Sequence, residues 1–235
     1  MTNKLMGFAL ALVMCLPLCI PVFATGTIDE DSIDFTPEEI AEQISIDNRL
    51  RAMSDTFLPN LKLRARVAWN VSVPAHKQEN YYFCGPACTQ MVYEGITQDT
   101  SNTQQWFATQ LGTNSDGTTS RQIATTLKRL TGANYSVANV FTSNQDVMDV
   151  YYNIANSLQQ GYAVVANIRQ IPGRYSVGTG HFIVVYGSMI ETVDTLQYAY
   201  VDPHYNDDYY GRWYISGYDM LSALSSNKGN YIRVA

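Results

Sequence analysis

The run Gln78-Glu79-Asn80-Tyr81-Tyr82-Phe83-Cys84-Gly85-Pro86-Ala87 decides how this chain is read. A Gln stands six residues before a Cys, and Gly-Pro follows the Cys. The spacing of Ala87, Met91 and Val92, with Cys88 as a further inward candidate, then predicts a helix from Pro86 to about Ile96. Pro86 suits the first turn, because it has no N–H to lose there. A thiol at that helix start meets the positive end of the helix dipole, which favours the thiolate, the nucleophilic form. The amide of Gln78 can donate to an oxyanion forming beside the sulfur. Gly85 is expected to leave room there for a substrate backbone.

Far downstream, Gly180-His181 opens the apolar strand His181–Tyr186, and Asp202-Pro203 closes the strand Gln197–Val201. These supply a general base and a group to fix its tautomer, in the chain order Cys, His, Asp. Two other histidines, His76 and His204, stand close to Gln78 and Asp202 in sequence and can also face the site. Only His181 opens an apolar strand after a Gly-x-Gly turn. Asn206 and Asp207 are fallback candidates for the orienter. Tyr81, Tyr82, Phe83, Tyr205, Tyr209 and Tyr210 could line an aromatic cleft wall.

Upstream, Thr36-Pro37-Glu38-Glu39 is a helix start with a capping box, and Ile40, Ile44, Ile46 and Leu50 give it an apolar face through about Met53. Leu61, Leu63, Ala65 and Val67 alternate with Lys62, Arg64 and Arg66, a strand pattern that continues as extended chain through Trp69–Pro74. Between the Cys and the His, helices are expected at about Thr103–Leu111, from a cap at Thr119 or Ser120 to Leu130, and from Asn144 to about Gln160. Val137–Phe141 reads as a short strand and Tyr162–Ile168 as an apolar one. Pro172-Gly173 and Gly178-Thr179-Gly180 bound a flexible connection. Gly211–Ile215 and Tyr231–Val234 are further strands, with a short helix at Tyr218–Leu224 between them. Helices first and an antiparallel sheet afterwards indicate an α+β fold.

Residues 1–24 have the form of a secretory signal peptide: Lys4, the apolar stretch Met6–Ile20, and the small-residue site Val22-Phe23-Ala24. Cleavage after Ala24 removes the charge of Lys4, turning the net −6 of the whole chain into −7. The apolar stretch is too short for a membrane span, so no stable span is expected once it is gone. An acidic chain without a basic cluster is a poor candidate for nucleic acid. Cys15 and Cys19 leave with the signal, and Cys84 and Cys88 remain, four apart on one helix. Parallel side chains at that spacing suit a disulfide badly, so Cys88 is read as a small buried hydrophobe. No Cys-x-x-Cys or His pair stands at ligand spacing, and neither metal nor cofactor is expected. The organisation is a signal peptide at 1–24, an acidic helical extension or propeptide at 25–60, and one domain at 61–235.

Val71-Ser72-Val73-Pro74, Gln78, Cys84-Gly85-Pro86-Ala87, Gly180-His181-Phe182-Ile183-Val184-Val185 and Val201-Asp202-Pro203 occur in this order. On these motifs the chain from about Val67 to its C-terminus resembles the papain-like cysteine peptidases, in particular the C39-like branch related to bacteriocin-leader peptidases. The resemblance implies a helical lobe packed on a β lobe with the site in the cleft between. It implies Cys84 as nucleophile, His181 as base, Asp202 as orienter and Gln78 as oxyanion donor. Leader peptidases of this branch are typically fused to a membrane exporter. Without such a segment here, the expectation is a secreted bacterial endopeptidase acting on peptides or proteins. Transglutaminase-like acyltransferases share the order Cys, His, Asp, and a cell-wall amidohydrolase would differ in substrate alone. A non-catalytic peptide binder that keeps the cleft is the remaining class.

Overall fold

A 16-residue strand, β4 (Tyr175–Ile190), organises the sheet. The computed structural model describes residues 36–57, 67–140, 147–225 and 229–234. The expected signal peptide, the acidic stretch at 25–35, the strand residues 61–66 and the cap at Asn144 lie outside the described residues.

Along one side β4 pairs with β3 (Val164–Ile171) and then with β1 (Val67–Asn70), and along the other with β5 (Gln197–Asp202). β2 (Tyr135–Asn139), β6 (Gly211–Ser216) and β7 (Asn230–Val234) complete an antiparallel sheet in the order β2-β7-β3-β4-β5-β6. The strands that run through its middle are apolar on both faces because helices cover both. On one face, α2 (Cys84–Thr97), α3 (Gln104–Leu111) and α4 (Ser120–Thr131) bury Met91, Leu111, Ile123 and Leu127 against Val165, Phe182, Val184 and Val201. On the other, α5 (Val147–Gln159) and α6 (Gly217–Ser225) bury Val150, Ile154, Met220 and Leu224 against Val164, Ile183, Val185 and Tyr198. The period-two alternation of Phe182-Ile183-Val184-Val185 thus feeds two cores from one strand. Truncating a filler such as Leu127 to Ala costs about 2–5 kcal/mol in sites of this kind. The α+β expectation holds, with a helical lobe, α2–α4, packed on a sheet lobe backed by α5 and α6.

Local signals explain the helix ends. Thr119 accepts from the Gln122 N–H while the Gln122 side chain accepts from the Thr119 N–H, so Thr119, not Ser120, is the cap. Gly132 ends that helix at φ 74°, a left-handed conformation open to glycine at little cost. α2 begins at Cys84, two residues before the expected start at Pro86, so the Cys itself takes the first helical position.

The expected flexible connection between Pro172 and Gly180 is instead a hairpin. Ile171 pairs with Tyr175 and Gln170 with Ser176, across a turn in which Gly173 has φ 74°. Glycines weaken a strand, which makes 178–180 look like a linker. Ladder pairing with β3 on either side of the irregularity overrides that preference.

The N-terminal helix α1 (Pro37–Phe57) packs on α5, and its Gln43 closes the free edge of β2. Gln43 Nε2 donates to the Asn139 carbonyl at 3.0 Å, and the Asn139 N–H donates to Gln43 Oε1 at 3.2 Å. One side-chain amide therefore satisfies edge groups that another strand would otherwise pair. Among the described residues no helix is long and apolar enough to cross a membrane.

Candidate active site

The β4–β5 register sets Val184 opposite Val201, which carries His181 and Asp202 to the same end of two neighbouring strands. There His181 Nε2 donates to Asp202 Oδ1 at 2.8 Å. Cys84, at the N-terminus of α2, lies near enough to the same imidazole for its charge to act on the ring. His181 Nδ1 has no hydrogen-bond partner, which leaves that nitrogen for proton exchange. Cys84, His181 and Asp202 are each 0 % exposed, and Gln78 is 3 % exposed. The expected cleft is thus closed over its reactive groups.

Burial opposes a charged His181. The charge and hydrogen bond of Asp202, joined by Cys84, overcome that penalty and lift the imidazole to about 10. Burial likewise works against ionised Asp202. Its bonds from His181, Tyr175 and the His204 N–H, together with the imidazolium charge, hold its carboxyl below the usual range. Burial, then repulsion from Cys84 and Asp202, pushes the Cys88 thiol well up, so the neighbouring cysteine stays protonated. Neither cysteine forms a disulfide.

Two partners of Asp202 were not legible as such. Tyr175 donates its hydroxyl to Asp202 Oδ2 at 2.6 Å, and burial and the carboxylate together hold that phenol well above its ordinary pKa. The carboxylate therefore has donors on both oxygens. Beside Tyr175, the Arg174 guanidinium donates to the Tyr200 hydroxyl at 2.7 Å and lies 3.7 Å over the Trp213 ring, which anchors the hairpin turn. The sole sequence signal for Tyr175 is its place at the head of a strand-like Tyr-Ser-Val, interrupted by the glycines that follow.

His204 donates its backbone N–H to Asp202 Oδ1 at 3.0 Å. Its ring Nδ1 accepts the Asn206 N–H at 3.0 Å, and the ring stacks on Tyr205 at 4.7 Å. Burial, then the nearby charge of His181, lowers the His204 pKa to about 4 and keeps the ring neutral. His76 lies elsewhere: its Nε2 meets Glu94 Oε2 at 2.7 Å and ties the loop to the outer part of α2. Asn206 Oδ1 caps the Asp208 N–H, and Asp207 pairs with Lys77 at 2.6 Å, so neither fallback orienter reaches the imidazole. Among the aromatics, Phe83 is buried and Tyr81 is exposed, while Tyr209 packs against Tyr175 and His204. The Tyr210 hydroxyl is spent on the Ala75 carbonyl.

Gln78 is held from both sides. Its N–H donates to the Pro203 carbonyl at 2.7 Å, tying it to the residue after Asp202. Gln104, at the start of α3, donates to the Lys77 carbonyl and accepts the Glu79 N–H, each at 2.9 Å. This clamp spans the residues flanking Gln78 and has no motif in the sequence. The Gln78 side chain donates one amide hydrogen to the Asn80 carbonyl at 2.7 Å, and the other hydrogen remains available.

Gly85 differs from its expected role. A Cβ there would stand 2.6 Å from both Cβ and Oγ1 of buried Thr118. The missing side chain makes room for Thr118, which packs α2 against the chain leading into α4, rather than for a substrate.

The arrangement joins a sulfur, a proton carrier with an anionic partner and an amide donor, the parts required for acyl transfer through a thioester. Solved structures with similar folds include the peptidase domain of Streptococcus ComA, a bi-functional ABC transporter, at 18% identity and TM-score 0.43, covering 68% of this chain and 98% of that one. Another is a double glycine motif protease from an AMS/PCAT transporter in complex with its leader peptide, at 12% identity and TM-score 0.44, covering 71% and 95%. No curated protein matches the chain in sequence. The family model Peptidase_C39 like matches residues 70–226, a span that holds Gln78, Cys84, His181 and Asp202. The chain therefore belongs to the C39-like family of papain-like cysteine peptidases.

Proposed function

We propose that this protein is an exported endopeptidase that hydrolyses peptide bonds through a Cys84 acyl-enzyme. The single observation that supports the reading is the buried bond of His181 Nε2 to Asp202 at 2.8 Å, with Cys84 buried at the head of α2 close enough for its charge to act on the same ring. Cys84 Sγ, its proton passed to His181 Nδ1, attacks the scissile carbonyl carbon, and the carbonyl π electrons move onto oxygen. The oxyanion is met by the second amide hydrogen of Gln78 and by the backbone N–H of Cys84. His181 hands its Nδ1 proton to the leaving amine as the C–N bond breaks, which leaves a thioester on Cys84. Water then attacks the thioester and gives a proton to His181. The carboxylate product departs, and the sulfur and imidazole return to their starting states. Asp202 holds the imidazole in the tautomer that exposes Nδ1, and Tyr175 and the His204 N–H hold Asp202.

Export rests on the signal-peptide form of residues 1–24. Residues 25–60 form an extension, and the domain runs from 61 to 235. The contacts of α1 go to α5 and the β2 edge, which supports a brace for the sheet rather than a plug for the site. The test is activity profiling of the mature protein on a peptide library, with Cys84→Ala as control. Cleaved products from the wild type alone support the proposal. Equal products from both proteins overturn it. Adding a primary amine to a casein digest separates hydrolysis from acyl transfer, since transfer would place the amine on the acyl product.

A further inference from the structure

Away from the reactive groups, a cavity of about 310 Å³ lies between α1, α4 and the β2–β7 edge of the sheet. That is near the lower end of the roughly 300–1,000 Å³ of small-molecule sites. Arg121, Lys128 and Arg233 line it together with Glu42, the one carboxylate among the described lining residues. Arg233 forms part of its floor and is 1 % exposed. Among the described residues its one hydrogen bond runs from Nη1 to the Ser136 hydroxyl at 3.2 Å, and Nε is sealed in without a partner. No carboxylate stands within ion-pair distance of it among those residues. Among the described residues Lys128 Nζ donates to the neutral amide oxygen of Asn134 at 2.8 Å and has no carboxylate within ion-pair distance.

A buried guanidinium is costly to hold unless an anion faces it, and its fork of donors fits the planar or tetrahedral oxygens of carboxylate or phosphate. We infer that this cavity is a binding site for a small ligand bearing a carboxylate or phosphate group, seated on Arg233 with Arg121 and Lys128 at its rim. Glu42 and Gln43 sit on α1, and Arg121, Lys128 and Arg233 sit on α4 and β7. The site is independent of the proposed peptidase chemistry, so inactivity of Cys84 leaves it untouched.

The test is thermal unfolding of the mature protein in increasing inorganic phosphate and, separately, acetate, with potassium chloride matched in ionic strength. Binding to the folded state predicts a saturable rise of about 3–6 °C at ten times the dissociation constant. A response to phosphate alone identifies the phosphate group, and a response to both identifies the shared oxyanion chemistry. Arg233→Gln should abolish the rise. Because a buried change can impair folding, Thr125→Glu on the exposed face of α4 is the second variant. It places a carboxylate in the cavity, and should raise the basal transition and remove the response. A rise no larger than that from chloride, or the same rise in wild type and Thr125→Glu, overturns the inference.

Discussion

Tyr175 and His181 hold the two oxygens of one carboxylate: the phenol donates to Asp202 Oδ2 at 2.6 Å and the imidazole to Oδ1 at 2.8 Å. The tyrosine thereby restrains the plane of the carboxylate, and the carboxylate restrains the plane of the ring. Removing one partner from a buried polar pair leaves the other unsatisfied, at about 1–3 kcal/mol. Tyr175→Phe should lower stability by that amount. It should also reduce kcat by roughly tenfold with KM nearly unchanged, since the residue acts through Asp202 and not on substrate. Steady-state kinetics and denaturant unfolding measure the two effects.

The raised His181 pKa predicts an alkaline limit. The folded imidazole titrates at about 10, against an ordinary value of 6.5, so its contribution to stability is complete below pH 6.5 and is lost as pH rises toward 10. Peptidase activity should fall over the upper part of this range. Asp202→Asn deletes the charge that overcomes burial, so the imidazole pKa must drop and the alkaline limb of kcat/KM must move to lower pH. A limb that stays in place in Asp202→Asn assigns the titration to another group.

On the acid side the sign reverses for His204. Its folded pKa of about 4 lies below the 6.5 of a free imidazole, so the unfolded chain binds the proton more readily. Stability due to this residue is therefore lost as pH falls from 6.5 through 4. His204→Gln should flatten the stability profile between those values, as read by chemical denaturation at a series of pH values. The depressed Asp202 carboxyl adds its own loss only below its ordinary range, near about 3.9 and lower.

Gln78→Ala should cost about a hundredfold in kcat, the size typical of a lost oxyanion donor, without changing the fold. Gln104→Ala releases the clamp on Lys77 and Glu79 and should give a smaller loss in the same direction. A full rate in Gln78→Ala would remove this residue from the mechanism.

Gly85→Ala forces a Cβ into Thr118 and should destabilise by about 1–3 kcal/mol, as over-packing does. Combining it with Thr118→Gly removes the atoms in the way and should restore part of the loss. Thermal unfolding of the two variants checks both halves of the expectation.

The legible parts of this fold are those set by local rules. The helix of Thr119–Leu130 carries its capping box and its terminal glycine in the sequence, and the alternation of Phe182–Val185 announces a strand covered on both faces. Cys84 and Asp202 could be picked out because they stand at the start of a helix and the end of a strand, Gln78 by its spacing from Cys84, and His181 by the Gly-x-Gly that precedes it. The hairpin at Pro172–Arg174 was obscured because pairing across β3 and β4 outweighs glycine's poor strand preference, which no short window reports. Tyr175 and Gln104 were hidden for a related reason. Their partners stand 27 positions away at Asp202 and Lys77, and hydrogen bonds at that range leave no spacing rule behind. Gly85 was legible as a tight place, but the neighbour that crowds it, Thr118, comes from a turn distant in the chain.

With the thiol of Cys84 shut away at 0 % exposure, the molecule at rest is guarded against oxidants and stray electrophiles. Any electrophile, substrate included, reaches that sulfur only once the surrounding walls part.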